Sequence, residues 1–164
     1  MQIDIRRATP KDAEAISAVW KVVCAERIYT AVDRPFTPQQ ERHYIVSLSD
    51  REGIFLAEVD SEIAGFQSLD LWAKYSDSFA HVGVAGTIIL PRWRRQGIGR
   101  RLAQYTFAYA RAHGYEKIVI YVRAGNAQAR AFYRSLGFIR KGLLERQVKI
   151  DDQYEDEVFM ELFL

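Results

Sequence analysis

The chain has 164 residues, of which 49% are apolar and 27% charged. This ordinary globular composition excludes a disordered tail, a collagen and a coiled coil. Its 23 basic and 21 acidic residues leave a net charge of +2, too small a field to argue for nucleic acid. One domain over residues 1–164 is expected, with no room for a second of usual size. The lone cysteine, Cys24, excludes an internal disulfide and a cysteine-based zinc site and fits a reduced, cytoplasmic compartment. The stretch from Met1 to Arg6 lacks the apolar core of a signal peptide. No run approaches the roughly 18 apolar residues of a membrane span.

Strands and helices alternate along the chain, as in an α/β or α+β domain. Ile3 and Ile5 give a first strand. Thr9-Pro10-Lys11-Asp12 reads as a helix start: a capping hydroxyl, a proline in the first turn and an acid at the positive dipole end. Ile16, Val19, Trp20 and Val23 follow at helical spacing. Glu26 to Phe36 is polar and irregular, the composition of a mobile loop beside a site or of a plain connector. Thr37-Pro38-Gln39-Gln40 repeats the start signal, with Tyr44, Ile45 and Leu48 on one face. Strands are expected at Ile54–Val59 and Ile63–Trp72, joined by an Asp60-Ser61-Glu62 turn. Phe79 to Leu90 is β-rich, and its Gly83 and Gly86 predict a bulge or a close backbone approach. After Pro91 a helix runs to His113 and stops at Gly114. Ile118 to Val122 reads as a buried strand. Asn126 caps a last helix with Ala129, Phe132, Tyr133 and Leu136 on one face, ended by Gly137. Two closing strands, near Ile139–Ile150 and Tyr154–Leu164, meet at Asp151-Asp152-Gln153.

The sharpest feature is Arg92-Trp93-Arg94-Arg95-Gln96-Gly97-Ile98-Gly99-Arg100-Arg101, five arginines around two glycines between a strand and a helix. A helix start offers unpaired amides and a positive dipole end. Glycines let the backbone approach a ligand, and arginines bond phosphate oxygens bidentately. A Walker A loop is absent. The dinucleotide fingerprint fails too, because Leu102 stands at its third glycine. By itself the block reads either as a phosphate turn or as a solvated basic loop.

Arg94-x-x-Gly97-x-Gly99 resembles the Arg/Gln-x-x-Gly-x-Gly/Ala signature of the GNAT superfamily of acyl-CoA-dependent N-acetyltransferases, and it follows a strand ending Ile88-Ile89-Leu90-Pro91. Asn126 to Phe138, with Tyr133, resembles that family's second motif, and Tyr154 to Met160 its closing hairpin. The layout is similar to the phosphinothricin and amino-acid acetyltransferase group. The resemblance implies a mixed, mostly antiparallel central sheet with helices on both faces and a V-shaped cofactor cleft between splayed strands. It implies acetyl-CoA as cosubstrate, no metal, and an acetyl group moved directly to a primary amine.

By the same resemblance, backbone groups of Ile88, Ile89 and Leu90 pair with the pantetheine arm. The turn of Arg94, Arg95, Gln96, Gly97, Ile98, Gly99, Arg100 and Arg101 cradles the pyrophosphate. Asn126 faces the pantetheine, and Tyr133 faces the thioester sulfur as general acid. Periodicity alone makes Tyr133 a core residue and Asn126 a plain cap. A phenol with a reference pKa of about 10 is an acid at neutral pH, able to protonate a leaving thiolate. Cys24 is not needed, because no covalent enzyme intermediate is required.

The chain departs from the family pattern on the strand before the turn. His81-Val82-Gly83-Val84-Ala85-Gly86-Thr87-Ile88-Ile89 has no glutamate to serve as base. His81, Glu26 and water are the alternatives, with His81 the nearest titratable group. The acceptor pocket is expected from the early segment and the last hairpin, with Glu26, Tyr29 and Trp72 as candidates and Phe36 and Tyr75 beside them. Aromatics with one or two acids suit a small amine such as an amino acid or an amine antibiotic. A peptide or protein acceptor, or a non-catalytic acyl-CoA sensor, are the competing readings. Neither nucleic acid nor a membrane is expected as partner. Homodimers are common in the family, and an exposed edge of the terminal hairpin is where a second copy would pair.

Overall fold

The computed structural model describes residues 2–164, and Met1, the first residue of the expected domain, lies outside them. Seven strands form one sheet: β1 (Ile3–Arg7), β2 (Gly53–Val59), β3 (Glu62–Leu71), β4 (Val82–Ile89), β5 (Lys117–Arg123), β6 (Ile139–Ile150) and β7 (Gln153–Phe163). Their order is β1-β2-β3-β4-β5-β7-β6. Every pairing is antiparallel except β4 with β5, which is parallel. Four helices cover the sheet: α1 (Ala13–Ala25), α2 (Pro38–Ser47), α3 (Ile98–Ala112) and α4 (Ala127–Ser135). This is the mixed, mostly antiparallel α/β architecture that the family resemblance implies.

Alternation along the strands divides the apolar residues between two faces. Ile54, Leu56, Phe66 and Ile88 pack with Ile16, Val19 and Val23 of α1, where Tyr44 and Ile45 of α2 also join. Phe55, Ala57, Leu69 and Ala85 point the other way, onto Ile98, Leu102, Phe107 and Ala110 of α3 and Tyr133 of α4. Each fully buried Leu or Phe stabilises the fold by roughly 1.5–3 kcal/mol.

Local chemistry sets the element ends. Residues Pro10–Asp12 form a 3-10 turn before α1, and the Asp12 carboxylate accepts the Thr9 amide at 2.7 Å. Thr37 and Gln40 close a reciprocal capping box on α2, with bonds of 3.2 and 2.9 Å. Asp60 and Ser61 both adopt positive φ, 48° and 71°, the backbone of a tight two-residue hairpin. Asp151 and Asp152 repeat it at 50° and 59°.

Two expectations change in detail. The β-rich stretch from Phe79 starts later than predicted, because Asp77–Phe79 is a 3-10 turn and the strand is Val82–Ile89. The glycines of that strand make no bulge, since β3 and β4 stay in register throughout. Gly83 instead marks a close approach: a Cβ there would lie 2.9 Å from Leu69 Cδ1.

Candidate active site

The site begins where two strands part. β4 and β5 pair only at Val82, Gly83 and Val84 against Lys117, Ile118 and Val119. Beyond that point they diverge around a cleft of about 820 Å³. Ala85–Ile89 form one wall and Tyr121–Arg123 the other. Tyr121, in a strand predicted to be buried throughout, is 38% exposed because it faces this opening.

The basic turn closes one end. Arg95 and Gly97 both take positive φ, 62° and 80°. A Cβ on Gly97 would meet nothing within 4 Å, so glycine is required there for its backbone conformation, not for space. No side chain caps α3. Its first amides, at Ile98, Gly99 and Arg100, are therefore left to a ligand. The Arg101 amide is not among them, for it bonds the Gly97 carbonyl at 3.1 Å, and Arg101 does not line the cleft. Gln96 also turns away, its side chain donating to the Arg92 carbonyl at 2.8 Å.

The five arginines do not act as one counter-charge. Arg92 pairs with Glu62 at 2.7 Å. Arg94 donates to both oxygens of Glu26, at 2.8 and 2.5 Å, and to the Ile89 carbonyl at 3.0 Å. Arg100 reaches Ser135 Oγ at 2.9 Å. Arg95 lines the cleft with no ion pair among the described residues. Of the three strand residues expected on the pantetheine, Ile88 and Ile89 line the cleft, whereas Leu90 turns its amide to the Ala64 carbonyl at 2.9 Å.

The irregular segment after α1 is strapped over the opening. Tyr29–Val32 line the cleft. Asn126 holds them by its Nδ2, 3.3 Å from the Tyr29 carbonyl, while its Oδ1 caps α4 on the Ala129 amide at 3.0 Å. Arg123 donates to the carbonyls of Arg27 and Thr30 at 2.7 and 3.0 Å. The Arg94 guanidinium lies 4.4 Å from the centre of the Tyr29 ring. Glu26 thus serves Arg94 and does not itself line the cleft.

Tyr133 is 6% exposed and lines the cleft from α4. Its hydroxyl donates to Thr87 Oγ1 at 2.9 Å, and Gln67 Nε2 donates to the same oxygen at 2.7 Å. Burial pushes the phenol above its ordinary value, so it keeps its proton across the neutral range.

The structure adds a carboxylate that the sequence reading passes over. Glu157 of β7 lies opposite Arg123 of β5, is 8% exposed and lines the cleft. Its carboxylate makes no hydrogen bond or ion pair among the described residues, since Arg123 is taken by Glu155 at 2.5 Å. Burial raises its pKa, with Glu155 adding to the rise and Arg123 opposing it. In sequence it is one acid of Glu155-Asp156-Glu157. Only the β7–β5 pairing brings it inward. His81 goes elsewhere: it is exposed, at the closed end of the splay, where its carbonyl accepts the Glu116 and Lys117 amides. Trp72, 42% exposed, also stays outside, its Nε1 bonding the Tyr121 hydroxyl at 3.0 Å. Cys24 is buried in α1 and its thiol is pushed up by desolvation, the state of an inert core cysteine.

A second chamber of about 410 Å³ opens beside the cleft, under α2. Trp20, Phe66 and Ser68 line both spaces. No cluster of metal-ligating side chains occurs among the described residues, and no helix among them is long and apolar enough to cross a membrane.

The cleft fits an acyl-CoA: uncapped helix amides and Arg95 suit a pyrophosphate, and a divergent strand edge suits a peptide-like arm. Residues 19–138 match the Acetyltransferase (GNAT) family. An N-acetyltransferase of undetermined function from Archaeoglobus fulgidus is 27% identical over 81% of this chain and 90% of its own. Mycothiol acetyltransferase of Corynebacterium glutamicum is 36% identical, over 54% of this chain and only 28% of that protein. In fold, the chain is similar to the yncA protein of Salmonella typhimurium, solved with its cofactor acetyl-CoA (TM-score 0.91, 21% identity, 100% and 95% of the two chains). It is likewise similar to a phosphinothricin N-acetyltransferase-like protein (TM-score 0.91, 20% identity, 99% of each chain). With the signature turn at the mouth of this cleft, the chain belongs to the Acetyltransferase (GNAT) family and is an acetyl-CoA-dependent acyltransferase.

Proposed function

We propose that this chain acetylates the primary amine of a small molecule, with Tyr133 as general acid and Glu157 as general base. The observation that carries this reading is that one cleft holds both a buried, protonated phenol and a buried carboxylate free of any cation. Acetyl-CoA supplies the acetyl group and departs as the free thiol. The amides of Ile98, Gly99 and Arg100, with Arg95, hold the pyrophosphate. Ile88 and Ile89 orient the arm along β4, and Asn126 fixes the roof above it.

An amine arrives as an ammonium and must shed a proton before it attacks. Glu157, its basicity raised by burial, takes that proton at a carboxylate oxygen. Tyr133 turns its O–H from Thr87 Oγ1 to the departing sulfur and gives up that proton there. The nitrogen sheds its second proton as the tetrahedral adduct collapses; that proton restores the Tyr133 phenol, and Glu157 returns the first to solvent, so direct attack on the thioester releases one net proton. The Tyr29–Val32 roof and the size of the adjoining chamber favour a small acceptor over a folded protein.

The test is thiol release from acetyl-CoA against small primary amines, amino acids and peptides, with the product identified by mass. Turnover with small amines or amino acids is expected. Turnover with peptides alone, or acetyl-CoA binding without turnover on any amine, would overturn the reading.

A further inference from the structure

The acceptor pocket and the chemistry it selects follow from the chamber under α2. We propose that this chamber binds a second, non-reacting ammonium group of the acceptor, so that the substrate class is a short linear diamine; this rests on the acetyl-transfer reading above. Four aromatic side chains wall the chamber: Trp20, Phe36, Tyr44 and Phe66. Trp20 stands edge-on to Phe36 at 5.5 Å and to Phe66 at 5.4 Å, which fixes the rings in place. The volume of about 410 Å³ would hold about fourteen waters at roughly 30 Å³ each, ample for a four-carbon chain.

Glu41 supplies the charge. It sits in the first turn of α2, is 3% exposed and lines the chamber. Its Oε2 has no hydrogen-bond partner, and none of the ion pairs among the described residues involves it. Trp20 is the one side chain that hydrogen-bonds this carboxylate among the described residues; a buried carboxylate oxygen left without a partner is costly, and aromatic faces around it attract an organic cation. A second acid stands behind the wall: the Tyr44 hydroxyl bonds the Asp70 carboxylate. The nearby Lys74 does not neutralise the chamber, because it pairs with Glu52 at 3.0 Å. No arginine or lysine lines the space, so an acceptor with a carboxylate at its far end meets only like charge. The amino-acid class expected from the sequence is therefore disfavoured.

Ser68 lines both spaces and pairs in register with Gly86, where β4 begins to diverge from β5. A diamine with one end beside Glu41 extends past Ser68 toward the cleft that holds Tyr133 and Glu157. The reacting end loses its proton there, while the far end stays charged.

Three acceptors of similar length separate the possibilities: diaminobutane, butylamine and aminobutanoate. The expected kcat/KM is highest for diaminobutane, about tenfold above butylamine, with aminobutanoate last. Glu41→Gln should bring the ratio of diaminobutane to butylamine close to one, mainly through KM for the diamine. A readout without chemistry runs alongside: diaminobutane should raise the Tm of the wild-type protein and butylamine should not, and Glu41→Gln should abolish the difference. Equal use of the three amines, a preference for aminobutanoate, or a diamine preference untouched by Glu41→Gln would overturn the chamber assignment while leaving acetyl transfer intact. Failure of every amine in a chain that binds acetyl-CoA would overturn the acetyl-transfer reading, and the Tm comparison would still decide the chamber.

Discussion

Arg94 grips Glu26 through two hydrogen bonds, of 2.8 and 2.5 Å, and so joins the signature turn to the segment that roofs the cleft. The two residues are 68 positions apart in the chain, and both are about three-quarters buried. The pair fixes the roof as much as it supplies charge, because the same guanidinium stacks on Tyr29 and bonds the Ile89 carbonyl. Arg94→Ala should weaken acetyl-CoA binding about tenfold, and Glu26→Gln by less. A double-mutant cycle read by calorimetry should give a coupling of about 1 kcal/mol. Strictly additive effects would mean that the pair does not organise the site.

Glu157 and His81 make opposite predictions. The Glu157 carboxyl is held above the ordinary range by burial and serves as a base only when ionised. The value of kcat/KM should therefore fall as pH drops through its raised pKa. Glu157→Gln should lower kcat/KM by about 10²–10³-fold and remove that acid limb. His81→Ala, at the closed end of the splay, should leave the pH profile unchanged. A profile that moves with His81 would return the role to the histidine.

Acid stability should depend on Asp12. Two hydrogen bonds from Arg6, with help from Thr9, lower its carboxyl to about 2. A carboxyl whose folded pKa is depressed stabilises the fold above its unfolded value of about 3.9, and the contribution is lost as pH falls through the folded one. Asp12→Asn should cost about 1–2 kcal/mol at neutral pH, a modest figure because Arg6 is 42% exposed. Tm measured against pH should show the two proteins converging near pH 2. A gap that persists there would assign the effect to packing instead.

Gly97→Ala isolates the turn. Space is open around the added methyl, but φ is +80°, so the cost is conformational, about 1 kcal/mol. Acetyl-CoA binding should weaken in parallel as the turn relaxes. Unchanged binding would show that the amides of Ile98 and Gly99 do not hold the phosphates.

The local signals in the chain specify most of the architecture. Thr37-Pro38 and Asn126 start helices, and the Asp60-Ser61 and Asp151-Asp152 turns join strands, close to where their chemistry predicts. On one side of the cleft, Arg94, Gly97, Gly99 and Tyr133 all line the space, because a local turn and a local helix present them, whereas Leu90, Gln96 and Arg101 of the same expected set do not. The acceptor half is not set locally. Glu157 enters the cleft only through the pairing of β7 with β5, a contact between strands 30 or more positions apart. Glu41 lies outside the Tyr44, Ile45 and Leu48 face that the sequence marks on α2, and its burial comes from the packing of α2 over Trp20 and Phe66. His81 adjoins β4 in sequence, but the strand carries it to the closed end of the cleft.

Acetyl transfer in this cleft is tested most directly by Tyr133→Phe, with acetyl-CoA binding and turnover measured on the same samples. The phenol hydroxyl contacts only Thr87 among the described residues, so its loss should leave Kd for acetyl-CoA within about twofold and the fold intact. Turnover on the best amine should drop about 10²-fold or more. Wild-type turnover by Tyr133→Phe would contradict the assignment of the acid, and the absence of acetyl-CoA binding in both proteins would contradict the site itself.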